Sequence, residues 1–191
     1  MDEIAEAVGV STPTIFNYFG NKDGILIAMI TEGAELARDE IQNRQSGTPT
    51  AEGADFGAEL VEMFVDISTR TMDIASKRVW RYAEAASIRH PQTTLAFEYA
   101  AIDAQLGDVV ASFLDRYELS LRSGTAADVQ LLAKIFYDVW NATFLRFLKD
   151  DDRTLTQHRA DLRGRLSPLA NLLFTDDFCR TPPLKPADRT K

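Results

Sequence analysis

Residues 3–26 read EIAEAVGVSTPTIFNYFGNKDGIL. Ile4, Ala5 and Val8 make one short apolar face, closed by Gly9, a residue suited to the left-handed position just past a helix end. Ser11 stands where a second short helix needs a cap, with Thr12 and Pro13 in its first turn, where proline's missing N–H costs nothing. Gly20 breaks that element. Asn21 or its neighbour caps a longer helix carrying Leu26, Met29, Ile30, Ala37 and Ile41, slightly weakened by Gly24 in its first turn. Two short helices joined by a tight turn with glycine at its left-handed position are the parts of a helix-turn-helix. Ile4, Ala5, Val10, Ile15 and Phe19 are expected to face one small core, which leaves Thr12, Thr14, Asn17 and Tyr18 facing out. Short polar side chains there suit a major groove, where they donate to phosphates and base edges. An ordinary helical corner with a solvated face is the bland alternative. It does not explain why the turn glycine, the Ser-Thr pair and the Tyr-Phe pair fall at these separations.

Outward from this segment, apolar residues recur at helical spacing and period-two runs rich in Val, Ile and Thr are missing, so the fold class is all-α. Residues 45–55 combine Gly, Pro, Ser and Thr and mark the best domain boundary. From Phe56 the pattern resumes with Leu60, Met63, Phe64, Ile67 and Ile74, continues through Val79, Trp80 and Ala83, and stops at His90-Pro91, because a residue before proline avoids helical dihedrals. Further helices are expected over residues 92–121, 126–149 and 155–174, the last with Pro168 as a kink or new start. From Thr175 onward, three prolines and no periodicity predict a loose tail. The expected division is therefore 1–45, a helix-turn-helix head with its connecting helix; 46–175, a ligand-binding and dimerisation domain; and 176–191, the tail.

The 191-residue chain carries 29 acids against 21 bases, a net charge of −8 that seems to argue against a nucleic-acid partner. That objection is weak. Steering depends on the field near the phosphates, and a distant acidic domain is screened beyond about 8 Å at physiological salt. The longest uncharged run, residues 7–21, is short and broken by Gly, Ser, Thr and Pro, so neither it nor any other stretch predicts a transmembrane helix. The opening Met1-Asp2-Glu3 lacks the basic start of a signal peptide, and a cytoplasmic location is expected. One cysteine, Cys179, excludes an intramolecular disulfide, and neither His90 nor His158 has a defensible metal partner. No phosphate loop, nucleophile elbow or His-Glu metal motif is present, so no catalytic residue, metal or cofactor is assigned.

The head closely resembles the tetracycline-repressor (TetR) family of bacterial transcriptional regulators. The resemblance rests on Ile4-Ala5, Gly9-Val10-Ser11, Thr14-Ile15, Tyr18-Phe19, Lys22 and Leu26. It implies a homodimeric, all-helical repressor or activator that binds double-stranded operator DNA, with a larger C-terminal domain that takes a small-molecule effector. Past Ile41 it is a resemblance of architecture alone. Family members usually have glycine or alanine where Pro13 stands and often tyrosine where Phe16 stands; the phenylalanine lacks a hydroxyl for a phosphate, leaving that work to Tyr18 and Lys22. The family also places a helix before Ile4. Residues 1–45 hold three bases against eight acids. The expectation is an N-terminally incomplete chain, and the alternative function is a helical dimeric ligand-binding or adaptor protein that has lost DNA binding through that truncation.

Candidate DNA contacts are thus Ser11, Thr12, Thr14, Asn17, Tyr18 and Lys22. Candidate pocket residues, for an apolar or amphipathic effector, are Met63, Phe64, Trp80, Phe97, Tyr99, Phe136, Tyr137 and Trp140. Phe144, Phe147, Leu162, Leu166, Leu169 and Leu173 are expected at the dimer interface, where the helices 126–149 and 155–174 pair with their mates in a four-helix bundle. The basic run Arg70, Lys77, Arg78, Arg81 and Arg89 reads as a solvated face with a chance arginine for an anionic ligand group. His158 is expected on an exposed stretch and Cys179 as incidental.

Overall fold

The structure is a computed structural model that describes residues 1–45 and 55–185. Among these residues it is all-helical: α1 (Asp2–Val8), α2 (Thr12–Phe19), α3 (Lys22–Gln45), α4 (Phe56–Ile74), α5 (Lys77–Arg89), α6 (Thr94–Asp115), α7 (Val129–Lys149), α8 (Leu155–Leu173) and α9 (Asp176–Arg180). The expected boundary loop at 46–54, the final residues of the tail and the side chains of Ala37 and Ile41 lie outside the described part.

Local chemistry places most of the ends. Gly9 closes α1 at φ 71°, and Ser11 caps α2 by accepting from the Thr14 N–H. Asn21 Oδ1 accepts from the Gly24 N–H at 2.9 Å, opening α3. Asp55, Thr93 and Asp128 cap α4, α6 and α7 in the same way, and Thr154 with Gln157 forms a full capping box at α8. Gly24 does more than weaken a helix. A Cβ on it would stand 1.8 Å from the Phe19 carbonyl oxygen, so the tight passage from α2 to α3 requires glycine.

Three expectations are corrected. The run from Phe56 to His90 is two helices, broken at Ala75 and Ser76, which are both extended. Trp80 stabilises the break: its indole N–H donates at 2.8 Å to the Thr71 carbonyl, which the Ala75 N–H reaches only at 3.4 Å as α4 ends. The helix expected to reach Leu121 stops at Asp115, and the chain beyond it pairs with the C-terminal segment through isolated bridges, Tyr117 with Leu184 and Leu121 with Phe174. The segment from Thr175 is accordingly not loose as far as Lys185. Phe178 and Cys179 of α9 are buried, and Arg122 ties Asp176 at 2.5 Å.

α3 leaves the head and packs on α4 and α6, α4 lies along α8, and α6 lies along α7. The core between them is continuous from Leu26 and Ile30 to Phe178. Its densest part is an aromatic group around Phe56, whose ring lies 4.9–6.2 Å from those of Phe113, Tyr117, Phe174 and Phe178. Tyr117 also donates to the Glu59 carboxylate, which satisfies its hydroxyl inside the core.

Candidate DNA-reading head and effector cavity

In the head, α1 and α2 pack on each other and α2 on α3. Of the five apolar residues expected in its core, Ala5 and Ile15 are buried; Ile4, Val10 and Phe19 stay more than a third exposed, because two such short helices cover each other only where they cross. Asn17, Tyr18 and Lys22 are exposed, Tyr18 most fully at 82%. Ser11, Thr12 and Thr14 are engaged locally: the Ser11 and Thr14 hydroxyls lie 2.7 Å apart, and Thr12 donates to Asp2 Oδ1 at 2.8 Å. The freest groups for a phosphate or base edge are thus those at the end of α2 and the start of α3. Thr12 reaches one only by releasing Asp2.

A cavity of about 40 Å³ lies in the body. Its walls come from α3 (Ala34, Arg38), α4 (Ile67, Thr71, Ile74), α5 (Trp80), α6 (Tyr99, Ile102, Asp103) and α7 (Trp140, Phe144). Such a volume holds roughly two or three waters. An organic ligand therefore enters only by displacing side chains or helices, and α3 is one of the walls. Asp103 gives the cavity a polar edge. It accepts from the Tyr137 hydroxyl at 2.7 Å. Burial raises its pKa, the Tyr137 bond opposes that rise, and the nearby Glu84 charge adds to it. Burial likewise raises Tyr99 and Tyr137 well above the ordinary phenol range, so both remain neutral hydrogen-bond donors.

Residues 1–29 match the family model of bacterial regulatory proteins, tetR family. The match covers the helix-turn-helix head, α1, α2 and the start of α3. The all-helical architecture also matches a solved structure of the fatty acid degradation regulator FadR from Bacillus halodurans, with a TM-score of 0.58 and 17% identity over 87% of this chain and 86% of that one. At that identity the likeness speaks for the fold. No curated protein matches the sequence. Among the described residues no helix is long and apolar enough to cross a membrane.

The structure redistributes the expected pocket and interface residues. Trp80, Tyr99 and Trp140 line the cavity, and Tyr137 touches it through Asp103. Phe97 does not, being 60% exposed on the outer face of α6. Met63, Phe64 and Phe136 are core residues outside its lining: Phe64 stacks behind Trp140 and Phe136 stacks on Phe174. Phe144, assigned to the dimer interface, is instead a cavity wall, and Phe147, Leu162 and Leu166 are buried within the single chain. The reason is that α4 lies against α8 and occupies the face that carries these leucines. Leu169 and Leu173 are only half-buried, and their neighbour Leu172 is exposed.

The basic run is also more than a solvated face. Lys77 donates to the carbonyls of Asp150 and Arg153 at 2.7 and 2.6 Å, and Arg81 donates to the Leu148 carbonyl and grips Asp151. Two cations of α5 thereby serve the C-terminus of α7, where carbonyls lack partners and the helix dipole is negative. The next residue, Tyr82, donates to Asp23 Oδ1 at 2.8 Å, in the first turn of α3 beside Lys22. Trp80, Arg81 and Tyr82 thus link the cavity, the body and the head from consecutive positions. No sequence signal marked Tyr82, whose partner is distant in the chain.

Proposed function

We propose that the protein is a cytoplasmic, homodimeric repressor released from its operator when an apolar or amphipathic effector opens the body cavity. The observation that carries the reading is that α3 is shared: Ala34 and Arg38 wall the cavity, while Lys22 at the other part of the same helix belongs to the head. A ligand that widens a 40 Å³ cavity works against that wall. In a dimer the two recognition helices must match half-sites about 34–36 Å or a multiple apart, so a displacement of α3 weakens both contacts together. FadR regulates fatty acid degradation, and the cavity's tryptophans, Phe144 and aliphatic side chains suit an acyl chain, which makes fatty acids the first effectors to try. The dimer contact is assigned to the part of α8 around Leu169, Leu172 and Leu173 left open by the single chain.

DNA binding is tested by anisotropy against the DNA flanking the gene and against random duplex. Tyr18 and Lys22 are assigned to phosphates, so Lys22→Ala weakens binding to both and lowers the salt slope by about one. Asn17, with Thr14, is assigned to base edges, so Asn17→Ala reduces the preference between the two duplexes by about 1–3 kcal/mol. Equal losses on both duplexes from Asn17→Ala would remove that assignment.

A further inference from the structure

The cavity wall is wired to α8 by a buried chain of polar groups. Trp140, on the cavity, donates its indole N–H to Ser68 Oγ at 2.9 Å, and the same oxygen lies 2.9 Å from Nε2 of His158. Ser68 and His158 are 0% and 1% exposed. The donor arithmetic fixes the directions. Ser68 has one proton and lies 2.8 Å from the Phe64 carbonyl, which can only accept. Ser68 Oγ then accepts twice, from Trp140 and from His158, whose proton sits on Nε2. The remaining His158 Nδ1 has no partner among the described residues. In the opposite tautomer the unpartnered Nδ1 would carry a buried N–H, the rarer and costlier kind of orphan. The imidazole is clamped by a stack on Phe147 at 4.7 Å and an edge contact to Phe144. Trp140 itself stacks with Phe64 and Phe144, contacts that hold the plane of its ring but leave the position of its N–H to Ser68.

We propose that His158 is a positioning residue that, through Ser68, fixes the Trp140 indole as a rigid cavity wall, so that the shape selectivity of the cavity is set from α8. This rests on reading the cavity as the effector site. It concerns which ligands are accepted, and it makes α8 a determinant of specificity although α8 contributes no cavity wall.

The test compares wild type with Ser68→Ala, His158→Gln and His158→Leu in the full chain. The Gln amide nitrogen can stand where Nε2 stood and still donate, whereas Leu keeps the bulk and donates nothing. Nitrogen-15 NMR should find the wild-type imidazole protonated on Nε2 and a Trp140 indole N–H protected from exchange, assigned with Trp140→Phe. Protection should survive in His158→Gln and fall in Ser68→Ala and His158→Leu. Affinities for straight-chain fatty acids from octanoate to palmitate, read by tryptophan fluorescence, should spread by chain length in wild type and His158→Gln. The spread should shrink about five- to tenfold in the other two variants, as expected for loss of one buried hydrogen bond. An Nδ1–H tautomer, or His158→Gln behaving like His158→Leu, overturns the proposal. If wild type binds none of the acids, the cavity reading fails and takes the selectivity claim with it. Binding with the same spread in all four proteins overturns the relay alone.

Discussion

In α1 and α2 of the head, Ala5 and Ile15 are the buried apolar residues, whereas the body gathers the rings of Phe56, Phe113, Tyr117, Phe174 and Phe178 into one group. The head holds its shape through backbone devices: a left-handed Gly9, a Ser11 cap and a glycine at 24 where no Cβ fits. The body holds its shape by burial. A region that spends its side chains on solvent has them free for DNA, and a region that buries them can enclose a ligand. The link between the two, α3, belongs to both, since Leu26 and Ile30 join the body's core.

The largest expected effect is in the body. Phe174→Ala removes a fully buried ring that touches Phe56, Phe136 and Phe178, and should cost about 3–5 kcal/mol in chemical denaturation. A loss below 1 kcal/mol would mean that the aromatic group does not carry the body.

Next comes a pH effect that the head should not share. Burial lowers the pKa of His158 to about 4; Asp161 opposes the shift, and Arg153 and Lys77 reinforce it. The unfolded chain takes up this proton near pH 6.5 and the folded one near 4, so the stability is complete above 6.5 and falls as pH drops through that window. The contribution lost is roughly 3 kcal/mol. Melting of wild type against His158→Gln between pH 7.5 and 4 should show a steeper fall in wild type, and parallel curves would sink the assignment.

The smaller effect belongs to the head. Gly24→Ala forces the Phe19 carbonyl aside, at about 1–3 kcal/mol, and should depress DNA binding while leaving the near-ultraviolet spectrum of the body's aromatics unchanged. If the spectrum changes as well, head and body are not separable in this way.

What could be read from the sequence divides along the same line. The head was legible because its devices are local: Gly9, Ser11 and Asn21 act within four residues of themselves. Helix content in the body was legible from periodicity, but its partners were not. The break at Ala75 and Ser76 carries no glycine or proline and depends on Trp80 folding back onto Thr71. His158 was misread as exposed, since its immediate neighbours are Gln157 and Arg159. Its spacing of four from Leu162, and again from there to Leu166, does place it on the buried face. Ser68 follows Leu60 and Phe64 at the same interval. The assignment of Phe144, Phe147, Leu162 and Leu166 to a dimer failed because periodicity shows that a face is apolar without showing whether the same chain or another copy covers it.

In the proposed mechanism α3 answers to the cavity and to DNA at once. The most direct test is a titration of the protein, bound to a fluorescent duplex from the DNA flanking its gene, with the fatty acid that binds it most tightly, alongside Trp80→Ala. Occupancy of the cavity should lower DNA affinity at least about fivefold, the lower end of ordinary coupling energies, with the effect lost in the variant. Saturation of the cavity with DNA affinity unchanged would contradict the account.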